Sequence, residues 1–132
     1  MIKYLAESDR FKVISICENV YLKDKSKSRN LVDYEKGDLF IASHYGDPTS
    51  AIIMHSDRFI VVGGCGLTIF DNLTQGSIDL LDDPNDITWV KAIYQDQLDN
   101  QLFEFCFVAY FQNDHLRVYK MNLASMKIEM TK

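Results

Sequence analysis

Long apolar runs are absent from this 132-residue chain, and a membrane-spanning helix would need roughly 20 consecutive apolar residues. The first seven residues, MIKYLAE, include an acid and no apolar central segment, so the sequence predicts no secretory signal. Cys17, Cys65 and Cys106 show no paired spacing, which is typical of reduced thiols rather than of a disulfide framework. These absences predict a cytoplasmic protein without a membrane partner.

The usual local signatures of metal and phosphate sites are also missing. There is no Cys-x-x-Cys or His-x-x-x-His pair, and such pairs normally pre-organise a zinc site. His44, His55 and His115 are therefore expected to be surface residues. The glycine cluster Gly63–Gly66 is followed by Leu67-Thr68-Ile69, whereas a phosphate loop continues with Gly-Lys-Ser/Thr into a helix. This cluster indicates a tight connection between strands.

Catalytic signatures are equally scarce. The run Asp82-Asp83-Pro84-Asn85-Asp86 lacks the glycine and the later Glu of a calcium loop, so it indicates a polar turn. No Gly-x-Ser-x-Gly elbow is present. Cys65 with His44 or His55 is the one pair that could form a small cysteine-dependent hydrolase. We expect no enzyme, no cofactor and no metal.

Positive charge is nearly absent from the middle of the chain. Residues 37–100 hold two cations, Arg58 and Lys91, against ten aspartates, a net charge of −8. The flanking blocks are weakly basic, +2 for residues 1–36 and +1 for residues 101–132. A surface of this kind repels phosphates and attracts basic proteins, which argues against nucleic acid as a partner. The alternative interpretation is a solvated surface that only keeps the protein soluble.

What the chain does have is a series of short apolar runs separated by turns. Residues 51–70 and 102–121 each contain such runs, the second with a turn at 112–114, and this spacing is typical of antiparallel meanders. The sequence predicts an all-β or β-dominated fold, a mostly antiparallel meander sheet or sandwich, in one domain over 1–132. At most one or two short helices are expected, and residues 1–9 or 29–36 could supply one. Two partial blades cannot close a propeller, which needs at least four.

Two segments are harder to assign. Residues 84–98 fit helical spacing and strand alternation about equally, and their β-branched and aromatic content favours a strand. Residues 23–30 are small, polar and basic, so the sequence predicts a mobile loop or hairpin tip with nothing to bury.

Residues 45–70 carry a resemblance to a known family. Tyr45-Gly46-Asp47-Pro48 is followed by Ala51-Ile52-Ile53, Asp57 and the run Phe59–Phe70. This pattern resembles small bacterial immunity proteins of contact-dependent growth inhibition and polymorphic toxin systems. The resemblance implies a β-rich, cytosolic protein that binds a cognate toxin domain and neutralises it. A basic nuclease would be one such toxin, since an acidic inhibitor can block its phosphate-binding active site. A generic interaction module without a toxin partner is the alternative.

The acidic middle supplies the expected partner-binding residues. Seven acids and one lysine lie between residues 71 and 99, and interfaces concentrate energy in a few aromatic and charged residues. Tyr94 or Trp89 is the expected aromatic anchor, although Trp89 fits the core equally well. We expect a monomer in a 1:1 complex with the toxin domain, bound through Asp71, Asp79, Asp82, Asp83, Asp86, Asp96, Asp99 and Tyr94.

Overall fold

The β-dominated fold is confirmed by the computed structural model, which describes residues 2–111 and 115–131, the side chain of residue 111 excepted. Within these residues the chain forms twelve strands and one short 3-10 turn, His55–Asp57. The strands form three antiparallel sheets of four, each a simple meander in chain order. The turn predicted at 112–114 lies outside the described residues.

The three sheets follow one another along the chain. The first contains β1 (Ile2–Glu7), β2 (Phe11–Ile16), β3 (Asn19–Asp24) and β4 (Leu39–Ser43). The second contains β5 (Ser50–Ile53), β6 (Phe59–Gly64), β7 (Gly66–Asp71) and β8 (Gly76–Leu80). The third contains β9 (Thr88–Tyr94), β10 (Glu104–Phe111), β11 (Arg117–Asn122) and β12 (Lys127–Met130).

The second sheet lies between the other two and is buried on both faces. Ile60, Val62 and Phe70 pack towards the first sheet, whereas Val61 and Ile69 pack towards the third. The opening strands of the three sheets are in contact, β1 with β5 and β5 with β9, while β8 and β12 are largely exposed. This double burial explains the almost continuous apolar sequence of β6 and β7, because a polar side chain on either face would lose its contact with water.

Two glycines are required by this packing. A Cβ on Gly63 would lie 2.6 Å from Val90 Cγ1, so only glycine lets β6 approach β9 this closely. Gly66 opens β7 with a φ of +90°, and its missing Cβ would lie 2.9 Å from the carbonyl oxygen of Leu80. The glycine cluster is thus a tight strand connection, as the sequence indicates.

The structure shows which of the segments that were hard to assign from the sequence form strands. Residues 88–94 form β9, so the strand interpretation of residues 84–98 is confirmed. Residues 1–9 contain β1, and the described residues contain no α-helix. The prediction that residues 23–30 form a mobile loop with nothing to bury was wrong for Lys23. This residue lies within β3 and has no exposed surface.

Lys23 is buried because the chain between β3 and β4 folds back over the outer face of the first sheet. We call residues 25–38 the cap. The Nζ atom of Lys23 lies 2.7 Å from Oδ2 of Asp38, the last cap residue, and the two side chains are 0% and 1% exposed. Elsewhere on this face Tyr4 donates a hydrogen bond to the carbonyl of Val32. The cap therefore has defined contacts with the sheet.

Candidate functional site

One end of the molecule collects acidic residues from the first and second sheets and from the loops that connect the three sheets. It is formed by the β2–β3 turn, the loop after β4, the β6–β7 turn and the loop before β9. Residues 17–18, 44–49, 64–66, 79 and 81–89 make up this acidic end. The amide of Gly46 donates to Oε2 of Glu18 at 3.1 Å, and Cys65 forms an isolated antiparallel bridge with Trp89. These contacts bring segments that are distant in sequence into one surface.

A buried histidine lies at the base of this surface. His44 is 3% exposed, so the expectation that it is a surface residue was wrong, whereas His55 and His115 are exposed. Its Nδ1 lies 3.1 Å from the carbonyl oxygen of Cys65. Its Nε2 lies 2.9 Å from Thr68 Oγ1. No local pattern around His44 predicts this burial, because the loop after β4 is covered only in the folded state.

The contacts of His44 continue to an acid on the adjacent strand. Thr68 Oγ1 donates to Oδ1 of Asp79 at 2.7 Å, and Thr68 and Asp79 are cross-strand partners on β7 and β8. A hydroxyl carries one proton, so when Thr68 donates to Asp79 it can only accept from Nε2. Nδ1 must also donate, since its partner is a carbonyl. All three hydrogen bonds are satisfied together only in the imidazolium form.

Charge and burial act on His44 in opposite directions. Burial lowers its pKa, because the low-dielectric interior disfavours the imidazolium. The Cys65 carbonyl and the negative charges of Asp79 and Asp82 oppose this effect, without cancelling it. His44 is therefore a titratable group whose charge state is coupled to the acids of this end.

The geometry around Cys65 does not assemble a thiolate nucleophile. Burial, and then the charge of Asp82, raise the pKa of the Cys65 thiol, whereas a reactive cysteine needs a lowered pKa. Both ring nitrogens of His44 contact other groups, the Cys65 carbonyl and Thr68. The structure thus brings this cysteine and histidine close together in a geometry unlike that of a catalytic pair.

The predicted acids do not form one cluster. Asp79 and Asp82 act electrostatically on His44, which places them at the acidic end. Asp83 and Asp86 are exposed in the same loop as Asp82. Trp89, at the start of β9, is half-buried, with its ring facing Gly46. Four of the seven predicted acids and one of the two candidate anchors therefore lie on this end.

Asp71 lies elsewhere and has a structural partner. It ends β7, at the edge opposite the Gly66 turn. Oδ2 of Asp71 lies 3.2 Å from Nη2 of Arg58, and this hydrogen bond is the main reason that the pKa of Asp71 is lowered. In the described contacts, Asp71 therefore stabilises the pairing of β6 with β7.

Asp96, Asp99 and Tyr94 lie at the opposite end of β9 from Trp89. A seven-residue strand separates its two ends by about 20 Å. Asp99 is 5% exposed, and its Oδ1 lies 2.5 Å from Nζ of Lys120. Burial acts to raise the pKa of Asp99, but the hydrogen bonds from Lys120, the Asp96 amide and Cys106 outweigh it and lower the pKa. Asp99 is thus buried in an intramolecular ion pair.

The same cluster contains the described residues closest to a metal-ligand arrangement. Ligand atoms of Asp96, Asp99 and Cys106 lie within 4.8 Å of one another. The Lys120 ammonium already balances Asp99. Burial and the charge of Asp99 raise the pKa of Cys106 to about 11, while a thiol must lose its proton to bind a metal. Both features disfavour a cation here.

Three residues of the acidic end were not predicted as site residues. Tyr45 is an exposed aromatic, with 75% of its surface accessible, and Glu18 and Asp47 are exposed acids. Asp47 was one of the ten middle aspartates, and it follows Tyr45 in the Tyr-Gly-Asp-Pro motif. This motif was the sequence signal that could have identified the loop as part of the site. Nothing in the sequence around Glu18 indicated a functional site, because only the β2–β3 register places this residue beside Gly46.

Comparisons of the chain with protein-family models, with curated proteins and with solved structures found no match. None of the described segments is a helix with the length and apolar character that crossing a membrane requires.

Proposed function

We propose that this protein is an immunity protein that binds a cognate toxin domain through its acidic end and blocks the active site of that domain. The observation that carries the proposal is the convergence of carboxylates and an exposed aromatic at this end. Asp79, Asp82 and Asp83 have no Lys or Arg ion-pair partner among residues 2–111 and 115–131. Tyr45, with 75% of its surface exposed, follows His44, on which Asp79 and Asp82 act electrostatically.

Charge determines which kind of partner this end favours. Unpaired carboxylates attract lysine and arginine, and aspartate accepts bidentate hydrogen bonds from arginine with little loss of rotamer freedom. A nuclease displays a basic cleft for its phosphate substrate, so an acidic inhibitor occupies that cleft favourably. Electrostatic steering would raise the association rate. We infer a basic toxin domain, such as a nuclease, as the partner.

One cation at this end is bound by a backbone carbonyl. Lys3 donates to the carbonyl of Pro48 at 3.1 Å, so its ammonium has a polar contact outside the carboxylate cluster. Asp79, Asp82 and Asp83 therefore stay available to a partner. We infer a 1:1 complex with a monomer of this chain in the cytoplasm, without nucleic acid or membrane as a partner.

Co-expression tests the biological part of the proposal. The domain encoded directly upstream of this chain should be toxic when it is expressed alone in the cytoplasm. Co-expression of this protein should restore growth, and the two should co-purify. A generic interaction module would bind its partner without protecting cells, and failure to rescue would refute the immunity function.

Charge reversal tests the surface. Asp82→Lys with Asp83→Lys should weaken toxin binding at least tenfold at low salt, which corresponds to about 1.4 kcal/mol, and should make binding less salt-sensitive. The matched control is Asp9→Lys with Asp96→Lys, which changes the net charge equally at two exposed residues away from the acidic end. Equal affinities of the two double variants at low salt and at about 0.5 M salt would show that the acidic end is only a solvated surface.

A further inference from the structure

The cap presents an apolar surface on the side of the molecule formed by the first sheet. Five large apolar side chains are exposed there: Tyr4 51%, Leu31 44%, Val32 67%, Tyr34 42% and Phe40 55%. The three aromatic rings alone leave roughly 300 Å² accessible, since an aromatic side chain offers about 200 Å² in total. That area equals the largest apolar patch of many monomers, and such patches commonly mark interaction sites.

These side chains form one continuous surface. The ring of Tyr21 lies 4.7 Å from that of Tyr34 and 5.9 Å from that of Phe40, which links the cap to β4. On the other side the Tyr4 hydroxyl donates to the carbonyl of Val32 at 2.6 Å. The aromatic cap surface, as we call these five residues with Tyr21, is therefore held in place by contacts beneath it.

The charges around this surface are net positive. Oδ1 of Asp33 accepts the amide of Tyr34, and Oε1 of Glu35 accepts the amides of Arg29 and Asn30, so both acids bind backbone amides and keep their negative charges. Arg29 and Lys36 have no carboxylate partner for their side chains among residues 2–111 and 115–131.

A further cation lies within the surface itself. Nζ of Lys12 lies 4.3 Å from the centroid of the Tyr4 ring and donates to the carbonyl of Leu31 at 2.8 Å. The aromatic cap surface thus joins exposed rings to three cations, Lys12, Arg29 and Lys36, against the two acids Asp33 and Glu35. This combination is opposite in charge to the acidic end.

We propose that the aromatic cap surface is a second docking site, which binds an acidic protein segment carrying aromatic or aliphatic side chains. Charge complementarity selects this occupant. A second copy docked through the same surface would bring the cations of both copies together. An anionic bilayer would have to attract a protein of net charge −5 through a loop that is tied to the sheet. The site is independent of the toxin-binding proposal.

The test uses a defined probe, a random copolymer of glutamate and tyrosine labelled with a fluorophore, and measures anisotropy as protein is added. The wild-type protein should bind the copolymer saturably and more tightly than polyglutamate of the same length, at least fivefold. Amide chemical shifts in a ¹⁵N spectrum should change mainly at residues 29–40. Absence of saturable binding, or shifts confined to another face, would overturn the proposal.

Variants separate the apolar and charged contributions. Val32→Asp places a negative charge on the surface without disturbing the core, and Arg29→Glu with Lys36→Glu reverses its rim. Each should weaken copolymer binding at least tenfold. Leu98→Asp, at a side chain that is 96% exposed, and Lys91→Glu with Lys127→Glu, at two exposed lysines, are the matched controls and should leave binding unchanged.

Two further outcomes would refute the choice of occupant. Sedimentation showing that the wild-type protein dimerises, and that Val32→Asp abolishes the dimer, would assign the surface to a second copy. Preferential binding to vesicles of phosphatidylserine and phosphatidylcholine over the copolymer would assign it to a membrane. Equal urea midpoints of Val32→Asp and the wild type would confirm that any loss of binding is local.

Discussion

Removing the charge of Lys23 should destabilise the protein far more than its position beside a polar loop would suggest. The ion pair of Lys23 and Asp38 has an Nζ–Oδ2 distance of 2.7 Å, with the side chains 0% and 1% exposed. Lys23→Met keeps most of the apolar stem and removes the ammonium. The Asp38 carboxylate would then stay buried with the Glu35 amide at 2.8 Å and the Ser28 hydroxyl at 3.5 Å.

The expected cost follows from that burial. Breaking a buried pair by removing one partner costs about 3–5 kcal/mol, a large share of the 5–15 kcal/mol by which a typical domain is stable. Replacing both charges, Lys23→Met with Asp38→Leu, should recover most of this loss, since buried ion pairs are often neutral relative to apolar residues. The double variant should therefore be more stable than Lys23→Met alone.

Urea unfolding followed by circular dichroism at pH 7 measures these differences. With a slope of about 1–3 kcal/mol per molar urea, Lys23→Met should lower the midpoint by at least about 1 M. Lys25→Met is the control, because the side chains of the Lys25–Glu7 pair are 21% and 53% exposed, and it should change the midpoint little. If Lys23→Met and Lys25→Met had equal effects, the cap would not exclude water from Lys23, and the reasoning would fail.

Four more predictions concern single groups. Asp79→Asn should lower the pKa of His44 further, because it removes a negative charge that favours the imidazolium; an NMR titration of the ring protons would show it, and an unchanged pKa would refute the coupling. In the wild type, the lowered His44 pKa means that the unfolded chain takes up the proton first, so stability should fall as pH drops below about 6.5, the ordinary histidine value, towards the folded pKa. Cys106, with a pKa of about 11 and 2% exposure, should react with iodoacetamide much more slowly than the exposed Cys17; mass spectrometry of the labelled peptides at pH 8 measures the order, and comparable rates would contradict it. Gly66→Ala should destabilise by at least about 1 kcal/mol, because φ is +90° and its Cβ would approach Leu80 at 2.9 Å; a urea midpoint equal to that of the wild type would contradict it.

The fold was the more predictable part, because it depends on short-range patterns. Apolar runs separated by turns gave the meanders of residues 51–70 and 102–121, and β5, β6, β7, β10 and β11 lie there. The β-branched content of residues 84–98 correctly favoured a strand, since such side chains pack well on a pleated surface. These patterns need no knowledge of which strands meet across the core.

Burial of polar groups could not be predicted in this way. Lys23 and His44 are buried by segments that are far away in sequence, the cap around Asp38 and the Cys65 turn. A lysine in a basic, polar stretch is usually exposed, and nothing local marks the exception. The alternation of β3 placed Lys23 on the outer face of the sheet, but only the path of the cap determines whether that face meets water.

The interface prediction rests on charge density along the chain, which differs from charge density in space. Residues 71–99 appeared as one acidic stretch, yet β9 separates Asp86 from Asp96 by about 20 Å, and Asp99 is paired with Lys120 from another strand. The acidic end gains Glu18 and Asp47 from segments outside that stretch, through the Gly46 amide bond to Glu18. A partner would therefore meet acids contributed by two sheets and by the loops that connect the three sheets, so its affinity should depend on the packing of the sheets as well as on charge. A core substitution that shifts β9 against β6, such as Gly63→Ala, should weaken toxin binding even though it changes no charge.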